Sequence, residues 1–454
     1  MKISATVENE EIELNLTKLD VNSNSWVGNI NGRNLVEEYL SFYYEDGVIR
    51  ALSVNPKIQT QDGIILERLM NAFKELTEAQ QMGFEAEDLP ILNMEGEKPY
   101  DPEQIRVRPV FLSAFQVHRD ITKGKIDLNP DFQRNFVWND VQKSLLIESM
   151  LLKIPLPAFY FAEDKTGKFQ VVDGLQRLTV INQYLNNEFK LKSLQYLKHL
   201  EGRYFSIDTE KGIKEKNALY DPYDGRVEST QLNINVIEAS SPLEVKYDIF
   251  YRINTGGRPL NRQEIRNCFA TNKTRILLTN MAKNRNFSIA TNFSVKDSRM
   301  DAQELALRYC GFSLYLDTYA GDMNGFLDDV LDKLNDYGEE QLDEIQANFD
   351  KSLRYSYHLF GSYAFRKCLP DDLLPGSRKQ LINKAMFIVW TSLLSKTTDI
   401  VLSKPESEFV RILAKELEVN PLLFNSLTTG TTDRYKLGFV FEEFERLLKG
   451  YLAA

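Results

Sequence analysis

The stretch Lys168–Tyr184, KFQVVDGLQRLTVINQY, imposes a strand, a tight turn and a helix in that order. Phe169, Val171 and Val172 make the short apolar run of a buried strand. Asp173-Gly174 is a turn dipeptide. From Gln176 onward, Leu178, Val180, Ile181 and Leu185 recur at helical spacing. The break falls where a strand ends and a helix begins. There, backbone N–H groups point outward and the helix dipole favours an anion. Gly174 lets the backbone approach a ligand closely. Arg177, three residues on, carries a planar fork of donors suited to phosphate oxygens. The same residues also fit an ordinary helix-opening turn with a surface arginine, so the stretch alone leaves both readings open.

Two further stretches bear on that choice. Leu128–Lys143 reads LNPDFQRNFVWNDVQK. Asn129-Pro130 favours a turn or extended chain. Phe132 and Trp138 are expected core anchors, and Gln133 and Arg134 are the polar exceptions between them. Asn139 or Asp140 is a suitable N-cap for a helix with Val141, Leu145, Leu146 and Met150 facing inward. Tyr251–Phe269, YRINTGGRPLNRQEIRNCF, reads as helix, glycine turn, helix. Gly256-Gly257 allows positive φ, and Asn254 and Thr255 set small polar side chains beside it. Asn261 with Glu264 three residues on matches a capping box. Consecutive N–H groups in such a turn can form an anion nest; a glycine-stopped helix followed by a capped one is the plainer alternative.

The 454 residues are enough for several domains. Residues 1–84 alternate apolar and polar positions and then turn helical over Gln61–Gln81, where Ile64, Leu66, Leu69, Met70, Phe73 and Leu76 are apolar. This reads as a small β-rich domain ending in a helix. Residues 85–103 are an acidic, proline-bearing linker, 104–275 hold the three stretches, and 276–454 are helical, with the fold class α+β. A strand over Ala158–Ala162 and a turn over Asp164–Gly167 make a hairpin with the strand at 169, and Gln231–Glu238 alternates as a strand. Ser241 is expected to cap a helix through Tyr251. Candidate helices run over Asp301–Leu316, Gly325–Leu334, Glu340–Phe360, Lys379–Leu394, Glu406–Leu417 and Tyr435–Leu452. The polar run Thr428–Arg434 is expected to be a helix N-cap.

Charge sets limits on function. The net charge of −10 argues against a general DNA binder, because such binding is mostly phosphate neutralisation; a local basic patch stays open. The three cysteines and three histidines are scattered, with no zinc spacing and no disulfide framework. No apolar run has the length of a membrane span and the N-terminus lacks a signal-peptide core, so a cytoplasmic protein is expected.

PDFQRNFVW, VVDGLQRLT and YRINTGGRPLNRQEIR, in this order and spacing, resemble the bacterial DUF262 family over roughly residues 104–275. That family includes the GmrS-like portion of modification-dependent restriction systems and related phage-defence proteins. The resemblance implies a core like the ParB/sulfiredoxin fold, whose G-x-x-R motif holds nucleotide phosphate; here it is Gly174-Leu175-Gln176-Arg177. On this reading Gly174 and the helix N-terminus cradle the phosphates, Arg177 neutralises them and Arg134 approaches from the preceding turn. Asp173 holds Mg²⁺ or orients water. Gln133 and Gln176 position a water or a base edge, Thr179 joins the nucleotide-binding set, and Asn254, Thr255, Gly256 and Gly257 form the opposite wall. The partners implied are a nucleoside triphosphate, DNA through a local basic patch, and a partner defence protein.

The chain departs from the family at Leu175, where the usual DGQQR has glutamine. Leu175 also stands where the sulfiredoxin branch carries its reactive cysteine, which excludes that chemistry. His358 is the single C-terminal histidine and lies in a helical run, so no HNH nuclease domain is expected. The leading function is therefore an NTP-binding and hydrolysing module in defence against foreign or modified DNA, with Asp173, Gln176 and Arg177 catalytic. One alternative is a ParB-like metal-dependent nuclease using Asp173 with Glu264 or Asp131. Another is a non-catalytic nucleotide or DNA sensor acting through a partner. The plain structural alternative has Asp173 and Arg177 pairing across the turn and Gln133–Arg134 capping the neighbouring helix.

Overall fold

The computed structural model describes residues 2–7, 10–18, 24–30, 38–45, 48–85, 106–128, 138–164, 166–241, 245, 246, 249, 252, 261–297, 299–377 and 379–453. The fold is α+β, with a small β region at the N-terminus and a helical C-terminal part. The chain divides into two units. One comprises Met1–Gly96 with Thr271–Ala454, and the other is Glu97–Ala270.

In the first unit, β1 (Lys2–Val7), β2 (Glu10–Lys18), β3 (Ser25–Ile30), β4 (Leu40–Glu45) and β5 (Val48–Val54) pair in sequence order as an antiparallel meander. Alternation places Ile3, Ala5, Val7, Leu14, Leu16, Leu40 and Phe42 on one face. Helix α1 (Asp62–Met82) covers that face through Ile65, Leu69 and Phe73. The helix lies where its period places it, but its inner stripe is 65-69-73, and Ile64, Leu66 and Met70 point to solvent. The reason is Phe73, whose ring packs edge-on against Trp26 and Phe42 and stacks on Tyr44, which fixes the helix's rotation. The end of α1 continues into the helical part. Phe84 bridges to Ile382, the Glu85 N–H donates to the Ile382 carbonyl at 2.8 Å, and Lys367 pairs with the Glu85 carboxylate at 3.1 Å.

The helical part follows its sequence pattern closely, with helices over Asp301–Tyr315, Met323–Asp336, Glu339–Phe360, Lys384–Ser395, Phe409–Val419 and Arg434–Ala453 among others. The expected helix from Lys379 starts later because Asn383 caps it, accepting from the Met386 N–H at 3.0 Å. Fully buried Trp390 packs against Phe360 and Phe409 and stacks on Phe444. Asp433 accepts from the N–H groups of Tyr435 and Lys436, so the Thr428–Arg434 run ends in a helix cap as expected. All three cysteines are buried and none is in a disulfide, and burial pushes the thiols of Cys310 and Cys368 up to about 12. Among the described residues, no helix is long and apolar enough to cross a membrane.

The second unit is built on a mixed sheet in the order β6-β10-β8-β9-β7, from β6 (Val107–Ser113), β7 (Ile126–Asp127), β8 (Phe159–Glu163), β9 (Phe169–Asp173) and β10 (Gln231–Ile237). β8 and β9 form the expected hairpin, β10 runs parallel to β8 and antiparallel to β6, and β7 runs parallel to β9. Leu232, Ile234 and Val236 of β10 share a buried face, as their alternation predicts. Helices α2 (Ala114–Thr122), α3 (Asp140–Leu151), α4 (Leu175–Leu185) and α5 (Tyr223–Ser229) pack on one another, and α6 (Arg262–Phe269) packs against β9. In α3, Leu146, Ile147, Met150 and Leu151 face inward, whereas Val141 is exposed. The remaining face of α3 holds a loop. Ser144 Oγ accepts from the Lys192 N–H, and buried Glu148 accepts from the N–H groups of Gln195, Tyr196 and Leu197 at 2.7–2.9 Å. Burial alone would raise the Glu148 carboxyl pKa; the three backbone donors outweigh it and hold the group below its ordinary value. Ser241 exchanges hydrogen bonds with the Arg106 backbone, and most of the helix expected after it lies outside the described residues.

Candidate functional site

β9 leads straight into α4 through Gly174, and both conformation and space require glycine there. Its φ is +91°, and a Cβ at this position would stand 2.4 Å from Cδ1 of Phe159. Among the described residues of this unit, three helices open on a side-chain cap with a reciprocal capping box: α2 on Ser113 with Gln116, α3 on Asn139 with Gln142, and α6 on Asn261 with Glu264. α4 opens on Gly174 with no side-chain cap. Its first-turn N–H groups are thus the free donors that an anion meets at a helix N-terminus.

Arg177 lies beneath this opening. Its Nη1 donates to the Pro157 carbonyl at 2.5 Å, and its Nη2 donates to the Ala158 carbonyl at 3.1 Å and to Asp173 Oδ2 at 3.0 Å. The guanidinium also stacks over the Phe159 ring, 4.4 Å from its centroid. Burial pulls the arginine's pKa down, and the Asp173 carboxylate opposes that pull. The side chain of Arg177 is 14% exposed and that of Asp173 38%. The ion pair across the turn, one of the alternatives the sequence left open, is therefore present. Arg177 ties the entry to β8, the end of β9 and the first turn of α4 into one rigid corner.

The hairpin register decides where Asp173 points. Glu163 pairs with Phe169, Ala162 with Gln170 and Phe161 with Val171; the register then slips, and Tyr160 pairs with Asp173. Cross-strand partners share a face, and the extra residue at Val172 is a bulge that shifts everything beyond it by one position. Asp173 thereby joins the face of Gln170, Ala162 and Tyr160 rather than that of Val171. Asn235 of β10 pairs with Tyr160, so Asp173, Tyr160 and Asn235 form one half-buried polar row across three strands. Neither Tyr160 nor Asn235 belongs to any of the three sequence stretches. The only sequence signal for Asn235 is the outward polar phase of the β10 alternation, and Tyr160 gives none.

The other expected site residues divide into three groups. Leu175 is buried at 4% exposure in the apolar stripe of α4 with Leu178, Ile181 and Leu185, so position 175 presents no polar group to a ligand. Gln176 and Thr179 are half-buried on α4, and Gln176 Oε1 is buried with no hydrogen-bond donor. Gln133, Arg134, Asp131, Asn254, Thr255, Gly256 and Gly257 lie outside the described residues. Glu264 is buried and accepts from the Asn261 N–H through Oε2 at 2.7 Å, so it closes its own helix. On the same helix Gln263 is 1% exposed, and neither atom of its amide meets a partner. Among the described residues, no group of three or more histidine, cysteine, aspartate or glutamate side chains is placed to hold a metal ion.

This corner can bind an anion at backbone donors, with a carboxylate and a guanidinium locked beside it. Residues 116–271, which span the corner and α6, match the family model described as GmrSD restriction endonuclease, N-terminal domain. A search of curated proteins returned no match.

Proposed function

We propose that this chain, in which residues 116–271 form a domain of the GmrSD N-terminal (DUF262) family, is a nucleotide-binding module of a restriction or phage-defence system, and that it hydrolyses a nucleoside triphosphate at the β9–α4 corner. The observation that carries the reading is the uncapped start of α4 at Gly174, flanked by the locked pair Asp173–Arg177. Phosphate oxygens accept from the first-turn N–H groups, and Gly174 supplies the positive φ at which the chain turns to present them. Arg177 supplies positive charge and holds the turn in shape. Its three hydrogen bonds account for three of the five N–H donors of a guanidinium.

Mg²⁺ fits this corner in one way. A single half-exposed carboxylate, with one oxygen already shared with Arg177, suits an ion that arrives on the phosphates and keeps its waters. When bound, the ion neutralises phosphate charge and polarises the phosphoryl group. Asp173 would hold it, and Gln176 would orient the attacking water.

A second reading, binding without turnover, is favoured by Leu175. Its side chain packs in the core, so the position where the related sequences carry glutamine supplies no polar group to the corner here. The deciding measurement is phosphate release from ATP, GTP, CTP and UTP with Mg²⁺, alongside thermal stabilisation by each nucleotide. Turnover in the wild type that is lost in Arg177→Ala supports hydrolysis. Stabilisation without turnover supports the second reading, and the absence of both would sink nucleotide binding altogether.

A further inference from the structure

We propose that the half-buried sheet face beside Asp173 is the base-reading half of the site, with the nucleobase packed on Tyr160 and hydrogen-bonded by Asn235. This inference rests on the phosphate reading of the β9–α4 corner.

Three observations lead to it. First, the bulge at Val172 sets Asp173 in register with Tyr160, and Tyr160 is in register with Asn235. The row starts at the phosphate corner and crosses β9, β8 and β10. Strands lie about 4.8 Å apart, so Asn235 stands about 10 Å from Asp173 across the sheet. A single nucleotide, phosphate at one end and base at the other, spans a gap of this size.

Second, the two faces of the sheet differ. Leu232, Ile234 and Val236 line the buried face. On the opposite face Ala162 and Ile237 are buried, where α6 packs against β9 and Gln170 Nε2 donates to the Ala270 carbonyl at 3.3 Å, whereas Tyr160 and Asn235 are half-buried and Asn233 is exposed. The row that holds Asp173 thus stays partly exposed where the phosphate turn begins, while the row of Ala162 and Ile237 beside it is buried.

Third, the chemistry suits a base. Tyrosine offers a flat ring for stacking, which tolerates any base. Asparagine presents a donor and an acceptor side by side, matching the hydrogen-bonding edge of a nucleobase. Neither side chain is engaged by the fold, since Tyr160 Oη and Asn235 Oδ1 and Nδ2 make no hydrogen bond within the described residues. Phe111 of β6 lies on the same face, paired with Asn233 and 64% exposed, but one strand farther out and outside the span of one nucleotide.

The test compares ligands that differ in one part only. Binding of the four nucleoside triphosphates, ribose 5-triphosphate and inorganic tripolyphosphate is measured by calorimetry on the full chain. The variants are Tyr160→Ala, Tyr160→Phe, Asn235→Ala and Phe111→Ala. The preferred triphosphate is expected to bind the wild type at least tenfold more tightly than ribose 5-triphosphate. Tyr160→Ala and Asn235→Ala are each expected to cut that advantage at least fivefold while leaving tripolyphosphate affinity unchanged. Tyr160→Phe retains most of it, and Phe111→Ala leaves every affinity as it was. If the wild type binds ribose 5-triphosphate as tightly as any nucleoside triphosphate, the base-reading role is overturned and the phosphate corner stands. The base-reading role is equally overturned if both alanine variants keep the advantage. If the wild type binds neither tripolyphosphate nor any nucleotide, the phosphate reading fails and takes this inference with it. The ligand comparison on the wild type does not depend on any variant folding.

Discussion

Asp173 Oδ2 accepts from Arg177 Nη2 at 3.0 Å, across the turn that joins β9 to α4. The same nitrogen donates to the Ala158 carbonyl, and Nη1 to that of Pro157. Arg177 is thus both a charge beside the proposed phosphate site and the clamp that holds the site in shape. A lysine keeps the charge and loses the fork. Arg177→Lys is therefore expected to retain the fold, to lose about 1–2 kcal/mol of stability, and to lower phosphate release at least tenfold. Urea denaturation beside a phosphate-release assay checks this; full turnover in the lysine variant would show that charge alone suffices.

Gly174 cannot accept a side chain. With φ at +91° and an added methyl only 2.4 Å from the Phe159 ring, Gly174→Ala must move either the turn or the ring. The backbone strain alone costs about 1–3 kcal/mol. Nucleotide-induced stabilisation should disappear as well, because the first turn of α4 is displaced. Thermal melts with and without triphosphate measure both effects.

Leu175 tests whether the glutamine of the DGQQR pattern that the turn resembles can be placed here. Because the side chain is buried in the α4 stripe, Leu175→Gln buries an amide and removes apolar contact. The expected cost is about 3 kcal/mol, with no rise in turnover. A gain in phosphate release would mean that the glutamine reaches the site and that the turn rearranges to admit it.

Asp301 gives the helical part a pH dependence. Burial pushes its carboxyl up to about 6; Lys384 opposes the shift, Glu304 and Asp297 add to it, and Arg299 opposes it. The folded state therefore holds a proton that the unfolded chain has released. Stability is highest below the ordinary value of 3.8 and falls as pH rises through about 6. Asp301→Asn removes the titration. The variant should gain on the wild type as pH goes from about 4 to about 7, with little further change above. Denaturation midpoints at several pH values test the sign; a variant that loses ground on the wild type as pH rises toward neutral would contradict it.

Features that depend on neighbours along the chain are legible before any fold is known. The strand–turn–helix at 168–184, the β10 alternation, the Asn261–Glu264 capping box and the C-terminal helices are set by periodicity, glycine and capping chemistry, which act over a few residues. The three linked stretches likewise carried the resemblance to the family whose model matches residues 116–271. Tertiary structure decided the rest. The rotation of α1 follows from Phe73 meeting three aromatic rings of the sheet, and the burial of Glu148 follows from a loop some fifty positions later. The face on which Asp173 stands, and its alignment with Tyr160 and Asn235, depend on one extra residue in a pairing register. Register is a property of two or more strands packed together, and a one-residue slip turns a side chain from one face of a sheet to the other. No local pattern encodes that slip, so half of the proposed site becomes visible only once β10, β8 and β9 lie side by side.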